Sequence, residues 1–356
     1  MKALALAFTS FLFLPAAAQA AMPASDVIGQ AIDGFIRPAY GDLAERTVAL
    51  EKSVEALCAT PSQASLDAAR DGFSQAAQGW AKVELIMFGP IREGNRLERM
   101  LFWPDRKSIG LKQVQAALAA RDPDATEAEK IARKSVAMQG FGALEYVLFG
   151  TDAEELATAE GAYRCAFGAA VAGNIAAISA EVRDDWNKPD GFAAIWATPG
   201  PDNLTYRNGS EAVTELMGVF INGLEMVRDV RLRGFLGLRP EKDKPKQALY
   251  WRSQGTTASL AANLEGLGDL FRASHLADAL SPDARWIAES IEIQFANGAE
   301  AARSVSGPIE EALDDPARRE KLDYLSTVTS SLSNLFGVRL SGEFGLTAGF
   351  SSLDGD

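Results

Sequence analysis

Two carboxylates on otherwise apolar helical stripes are the residues best placed to do chemistry. Glu84 follows Trp80 by four positions and precedes Met87 by three, while Glu145 is the single acid in the apolar stretch SVAMQGFGALEYVLFG. A carboxylate carried into a protein interior is costly unless a cation, hydrogen bonds or a proton compensates it. The sequence therefore predicts a specific partner for each acid.

The segment NRLERMLFWPDRK contains the candidate partners. It carries four cations, Arg96, Arg99, Arg106 and Lys107, with Asp105 among them. Two interpretations stay open. In one, the acids bind arginines and backbone N–H groups and lock helices together, as buried ionic networks do in some proteins. In the other, they form part of a ligand or metal site.

Gly142 lies one helical turn before Glu145, on the same predicted face. Glycine inside a helix costs about 1 kcal/mol relative to alanine, and close packing or the approach of a ligand can offset that cost. We therefore add Gly142 to the candidate site. The predicted ligand-binding set from this reasoning is Trp80, Glu84, Arg99, Asp105, Arg106, Gly142 and Glu145.

Several catalytic classes are excluded by the residues available. The chain has one histidine, His275, which a Ser-His-Asp triad would require, and no G-x-S-x-G elbow accompanies it. The zinc motif H-E-x-x-H, the P-loop and a G-x-G-x-x-G turn after a strand are all missing from the sequence. We expect His275 to lie at a helix end or on the surface.

The elements that must position these residues are helices, since apolar residues recur at three-four spacing and strand alternation is nowhere sustained. Ser65 is the predicted N-cap of the helix that carries Glu84, and Gly89-Pro90 is its predicted end. Thr126 with Glu129 reads as a capping box, which predicts one helix from there through the stretch that holds the second acid.

Composition divides the chain into parts. Residues 187–210 are dense in Gly, Pro and Asn, which is typical of a connecting segment. We predict an all-α fold of two four-helix-bundle-like halves packed together, an N-terminal bundle over 21–186 and a C-terminal bundle with a Gly-rich tail over 211–356.

The N-terminus predicts export. Residues 1–20 combine Lys2, an apolar core and an Ala18-Gln19-Ala20 cleavage site, the pattern of a cleaved signal peptide. No cysteine follows the cleavage site, so we expect no lipid anchor, and no membrane span in the mature chain. In a Gram-negative host the destination is the periplasm. An exported chain with two cysteines, Cys58 and Cys165, is most simply interpreted as having one disulfide.

The net charge of the chain limits which classes of binding partner are expected. The chain has 35 basic and 48 acidic residues, a formal net charge of -13. Such acidity argues against nucleic acid and anionic lipid as partners. It is compatible with solubility alone, or with cations or cationic ligands.

Six segments in order give the chain a resemblance to a known family. They are GWAKVELIMFGP, LFWPDRKSIGLKQVQAAL, SVAMQGFGALEYVLFG, YRCAFG, LYWRSQGTTASLAANLEGL and the terminal GLTAGFSSLDGD. Together they resemble the imelysin-like proteins over nearly the whole mature chain. The resemblance implies an exported, all-α protein of two bundle-like halves with a site at their interface, associated with bacterial iron uptake and carrying an old peptidase assignment.

The family signature G-x-H-x-x-E, proposed to bind a metal, falls on residues 140–145. Gly140 and Glu145 match it, but Gly142 stands in the place of the histidine. A metal held by Glu145 and Glu84 would need further oxygen ligands, a donor set that suits iron or calcium better than zinc. The resemblance also implies that Arg252 and Ser253 of YWRSQG face the same interface.

The leading functional hypothesis is a non-enzymatic, periplasmic accessory to iron uptake that binds a cation or small ligand. Envelope iron-transport proteins are then expected partners. Two alternatives stay open: a protein- or peptide-interaction module with a vestigial site, and a hydrolase of the imelysin peptidase type, which the missing histidine disfavours.

Overall fold

The computed structural model describes residues 23–346 and contains helices with no strand over that range. The predicted signal peptide and the end of the Gly-rich tail, from 347 onward, lie outside the described residues. The α-helices are α1 Ala24–Ala31, α2 Arg37–Ala59, α3 Gln63–Val83, α4 Arg96–Met100, α5 Ile109–Ala120, α6 Ala128–Ile131, α7 Phe141–Phe149, α8 Ala162–Asn187, α9 Phe192–Ala197, α10 Gly209–Glu225, α11 Thr256–Ala273, α12 Arg285–Arg303, α13 Ile309–Asp314, α14 Pro316–Asn334 and α15 Ser341–Glu343.

Three π-helical segments extend longer helices: Ile32–Ile36 joins α1 to α2, Met226–Leu232 continues α10, and Leu335–Leu340 continues α14. Short 3-10 segments, among them Gly89–Asn95 and Val136–Met138, connect the rest. The all-α prediction is confirmed.

The long helices form two packed groups. In the first, α2 packs against both α3 and α8, and α7 lies against α8. In the second, α11 packs against α12, α12 against α14, and α14 against α10. Helices α3 and α11 join the groups, and they approach so closely that a Cβ on Gly266 would lie 2.2 Å from the carbonyl oxygen of Lys82. A larger residue at 266 would therefore force the two groups apart.

Helix α8 is apolar around most of its circumference because it lies in the middle of the first group. Together with the short turn before it, Ala159–Asn187 is the one stretch in the described part of the chain long and apolar enough to cross a membrane, but 67% of its most apolar window is buried inside the protein. Burial of that extent is also what a core helix of a soluble protein shows.

The disulfide prediction is confirmed. Cys58, near the end of α2, is bonded to Cys165 in α8, with their Cα atoms 5.5 Å apart and a sequence separation of 107. The bond ties together the two helices on which the first group is built. Disulfides of this kind are typical of proteins that leave the cytosol, in agreement with the predicted export.

The predicted connecting segment contains helix α9 and is anchored by aromatic packing. Trp196 is fully buried, and Phe192 packs edge-to-face against Trp186 at the end of α8. At the N-terminus, α1 packs against α10 and α11 of the second group, although its sequence position precedes the first group. The division at residues 187 and 210 stays a prediction.

Three local predictions were wrong. The N-cap of α3 is Ser62, and Ser65 completes a capping box with it as the N3 residue. That helix ends at Val83, before Gly89-Pro90. Thr126 forms no capping box, because its hydroxyl donates to the carbonyl of Pro123.

Candidate functional site

The helix that carries Glu145 begins at Phe141, so the continuous helix predicted from Thr126 is broken. Met138 lies in a separate 3-10 turn and does not share a helical face with Glu145. The break lies where Gly140 passes the 99–100 backbone: a Cβ on Gly140 would be 2.1 Å from the carbonyl oxygen of Met100. The first glycine of the signature is therefore required by close packing.

The second glycine is in the opposite situation. Gly142 is exposed, and a Cβ added there would meet no atom within 4 Å. It lines a cavity of about 790 Å³ that opens between the two groups of helices. The wall from the first group comes from residues 101–114 and 136–146, and the wall from the second from 229–234 and 244–252. We call this space the central cavity.

Glu145 lies in the wall of the central cavity and is 5% exposed. Its Oε1 accepts hydrogen bonds from the backbone N–H groups of Arg252 (3.1 Å) and Ser253 (3.0 Å) and from the Ser253 hydroxyl (2.9 Å). Burial raises the pKa of Glu145, and these donors oppose that shift. Glu145 thus holds the 250–253 turn of the second group against the first.

Glu84 is the C-cap of α3 and is also 5% exposed. One of its oxygens accepts a short hydrogen bond from Nη2 of Arg231, in the π-helical segment of the second group, and the other accepts from Asn263 at 2.6 Å. Burial raises the pKa of Glu84, and the charge of Arg231 opposes that shift. We predicted that a cation of the 95–107 segment would neutralise Glu84. That prediction was wrong, because the cation is Arg231 of the second group.

Tyr250 is near enough to both acids for their charges to act on its hydroxyl. It is buried and lines the central cavity, and its hydroxyl makes no hydrogen bond with any residue in 23–346. Burial raises its pKa well above the ordinary value, and the negative charges of Glu84 and Glu145 raise it further. Glu84 is not part of the cavity wall, so the two acids do not share one pocket.

The remaining predicted residues separate into two sets. Arg106 and Arg252 line the central cavity. Asp105 lines it too, but its carboxylate accepts from the N–H groups of Ile109 (2.7 Å) and Gly110 (2.9 Å) and so caps α5.

Two predicted residues bind or pack within the first group of helices and not in the cavity. Arg99 donates to the side chains of Gln139 and Asn174, both at 2.8 Å. Trp80 is 1% exposed and stacks on Phe141 with ring centroids 6.5 Å apart. Neither is among the residues of the cavity wall.

The donors present do not form a metal cage. Within residues 23–346 there is no group of three or more His, Cys, Asp or Glu side chains arranged to hold a metal ion. Gly142 supplies no donor, and Oε1 of Glu145 already accepts three hydrogen bonds. Hard cations need six or more oxygen ligands from protein or water. The assignment of Glu84 and Glu145 as metal ligands stays a prediction without further protein ligands to support it.

Several residues of the site were missed by sequence reasoning. They lie in or directly behind the cavity wall from the second group, and are Arg231, Lys244, Lys246 and Tyr250. One signal was available: the run RPEKDKPKQALYWR is the most basic irregular segment of the second half. Nothing local indicates which helix of the first half it faces.

His275 behaves as predicted. Its side chain is 50% exposed, and its Nδ1 lies 2.9 Å from Oδ2 of Asp278, just beyond the end of α11. It is not among the residues of the central cavity.

Fold and site together define an all-α exported-type protein with two packed helical groups and a polar cavity between them. The sequence model Peptidase M75: Imelysin matches residues 36–335. The chain therefore belongs to the imelysin family.

Named relatives agree with this assignment. The chain is 23% identical over 317 residues to iron-regulated protein A of Synechococcus elongatus, covering 85% of this chain and 83% of that one. Its fold matches an imelysin-like protein from Psychrobacter arcticum with a TM-score of 0.74 at 19% identity, over 92% of this chain and 98% of the other. An iron-regulated protein A precursor from Parabacteroides distasonis gives a TM-score of 0.74 at 16% identity, over 93% and 98%. At these identities the structural matches show the fold alone.

Proposed function

We propose that this protein is a periplasmic, non-enzymatic accessory to iron uptake that binds a small ligand in the central cavity. The observation that carries the proposal is the open face of Gly142 on a cavity of about 790 Å³, a size typical of small-molecule sites. The name of one relative, iron-regulated protein A of Synechococcus elongatus, supports the link to iron. The predicted signal peptide and the Cys58–Cys165 disulfide support the compartment.

The arrangement of the site favours binding over catalysis. Glu145 is the acid of the signature, and its Oε1 is engaged in holding the 252–253 backbone of the second group. A general base or nucleophile needs a free lone pair directed at a substrate and a partner that orients it. In the described residues, no histidine, cysteine thiol or second free carboxylate accompanies Glu145 in the cavity wall.

The test is growth of a deletion strain under iron limitation. Complementation with the wild-type gene is expected to restore growth. The Gly142→Leu variant projects an isobutyl group into the cavity and is expected not to restore growth. Gly41→Leu is the matched control, because Gly41 also lies in a helix with no atom within 4 Å of an added Cβ but is not part of the cavity wall.

Protein levels and thermal stability of both variants should be close to those of the wild type, since an added Cβ meets no neighbour at either position. Restoration of growth by Gly142→Leu would show that the cavity is not the working surface. Normal growth of the deletion strain under iron limitation would show that the protein has no role in iron uptake.

A further inference from the structure

The central cavity is cationic although the protein as a whole is acidic. Five basic side chains line it: Arg106 from the first group, and Arg233, Lys244, Lys246 and Arg252 from the second. Four of them, all except Arg233, form no ion pair with a carboxylate in the described residues. In a chain with a net charge of -13, a concentration of unpaired cations around one cavity indicates attraction for a negatively charged ligand.

The carboxylates of the wall do not cancel this charge. Asp105 is engaged as the cap of α5. Asp229 accepts hydrogen bonds from Nε and Nη2 of the neighbouring Arg228. Glu145 is buried and accepts three hydrogen bonds from the 252–253 turn. Asp105, Asp229 and Oε1 of Glu145 are thus already bound by protein donors, and the unpaired cations remain available to a ligand.

Buried donors near the cavity also lack partners. The hydroxyl of Tyr250, a residue 2% exposed, makes no hydrogen bond in residues 23–346, and neither do Nε and Nη1 of Arg231, a residue 6% exposed that stacks behind the ring of Trp103. Buried polar groups of folded proteins nearly always have a partner. Tyr250 also has a backbone φ of 60°, in the left-handed region that a bulky residue adopts only under constraint.

Five aromatic residues also line the wall, which favours a ligand with a carbon skeleton. Arg252 lies over the rings of Tyr146 (5.4 Å) and Trp251 (4.4 Å), and Lys246 lies over Trp251 (5.7 Å). These cation–π contacts hold the charged groups at the cavity surface without neutralising them. Cations on opposite walls suit a ligand with several anionic groups, and a guanidinium matches a carboxylate through two parallel hydrogen bonds.

We infer that the central cavity binds a small organic polycarboxylate, either free or as its anionic ferric chelate. The inference rests on the proposed function and specifies its ligand. The ligand is then a chelate or free acid and not a bare cation. A ferric ion surrounded by carboxylate oxygens presents negative charge to the protein, so the chain needs no metal-binding cluster of its own.

The test is isothermal titration of the mature, disulfide-bonded protein with citrate and, separately, with ferric citrate. The double variant Arg106→Gln/Lys244→Gln removes one cation from each wall. We expect it to weaken binding about 100-fold, since losing a hydrogen bond to a charged group typically costs roughly tenfold or more in affinity. Binding to the wild type should also weaken as salt is raised.

The matched control is Lys107→Gln/Lys242→Gln. It makes the same change in net charge at exposed positions that are close in sequence but are not in the cavity wall. We expect its affinity to stay within about twofold of the wild type, with unchanged circular dichroism for both double variants. Binding of ferric citrate alone would identify the chelate as the ligand, and binding of citrate alone the free acid.

The inference is overturned if neither probe binds, or if the two double variants weaken binding equally. That failure is distinct from failure of the proposed function. If Gly142→Leu abolishes iron-limited growth while no polycarboxylate binds, the cavity is functional and its ligand has another chemistry. If Gly142→Leu restores growth, the cavity is not the working surface.

Discussion

Removing Arg231 should expose how much the two helical groups depend on one buried ion pair. Glu84 and Arg231 are 5% and 6% exposed and lie 147 residues apart, one in each group. Breaking a buried pair by deleting one partner typically costs about 3–5 kcal/mol, because the remaining charge stays buried without compensation. We expect Arg231→Met to lower the free energy of unfolding by that amount at pH 7.

The cost should depend on pH in a way that identifies Glu84 as its source. Without Arg231, burial raises the pKa of Glu84 further, so the folded state holds a proton on this acid at pH values where the unfolded state has released it. Stability is then lost as the pH rises from the ordinary value of 4.5 toward the folded pKa, at about 1.4 kcal/mol per pH unit. Below that ordinary value most of the loss should disappear.

Glu84→Gln provides the contrasting variant. It leaves Arg231, which keeps its charge at all accessible pH, and it removes the carboxyl whose pKa burial raises, so its cost should fall, not grow, as the pH rises above about 4.5. The double variant Glu84→Gln/Arg231→Met should recover much of the loss, because no buried charge remains.

The assay is urea denaturation followed by circular dichroism, with the disulfide intact, at several pH values from 4 to 8. Arg272→Met is the control: it removes one member of an exposed pair, with Arg272 50% exposed, and should cost at most about 1 kcal/mol. A cost for Arg231→Met below that of Arg272→Met, or additive effects in the double variant, would refute the reasoning.

Three further predictions follow from the same structure. Gly140→Ala should destabilise the protein by more than about 2 kcal/mol because its Cβ would overlap the Met100 carbonyl. Gly142→Ala should change stability by less than about 1 kcal/mol, because its Cβ meets no atom. Thermal unfolding compares the two variants, and equal effects would contradict the packing argument. Replacing both Cys58 and Cys165 by Ser should cost about 4–5 kcal/mol in urea, since the bond closes a loop of 107 residues, and an unchanged midpoint would contradict that value. Burial raises the pKa of Glu145, so the wild type should lose stability as the pH rises above about 4.5 relative to Glu145→Gln; parallel curves from pH 4 to 7 would show that no such shift exists.

Local features of the sequence were sufficient for the fold class and the disulfide. Helical periodicity is a property of neighbouring residues, and a chain with two cysteines allows a single intramolecular pairing. The same local pattern identified Glu84 and Glu145 as buried acids in need of partners, and the signature register identified Gly142 as the position where the family histidine is replaced.

Tertiary structure alone decided what those acids bind. Their partners, Arg231 for Glu84 and Ser253 for Glu145, lie 147 and 108 residues away in the other helical group, and no local pattern encodes a contact across that separation. The break before Phe141 was invisible for the same reason, since it lies where Gly140 packs against the distant 99–100 backbone. The charge of the central cavity was hidden as well: a cavity takes its sign from the side chains that two groups of helices bring together, and here these are cations gathered from an acidic chain.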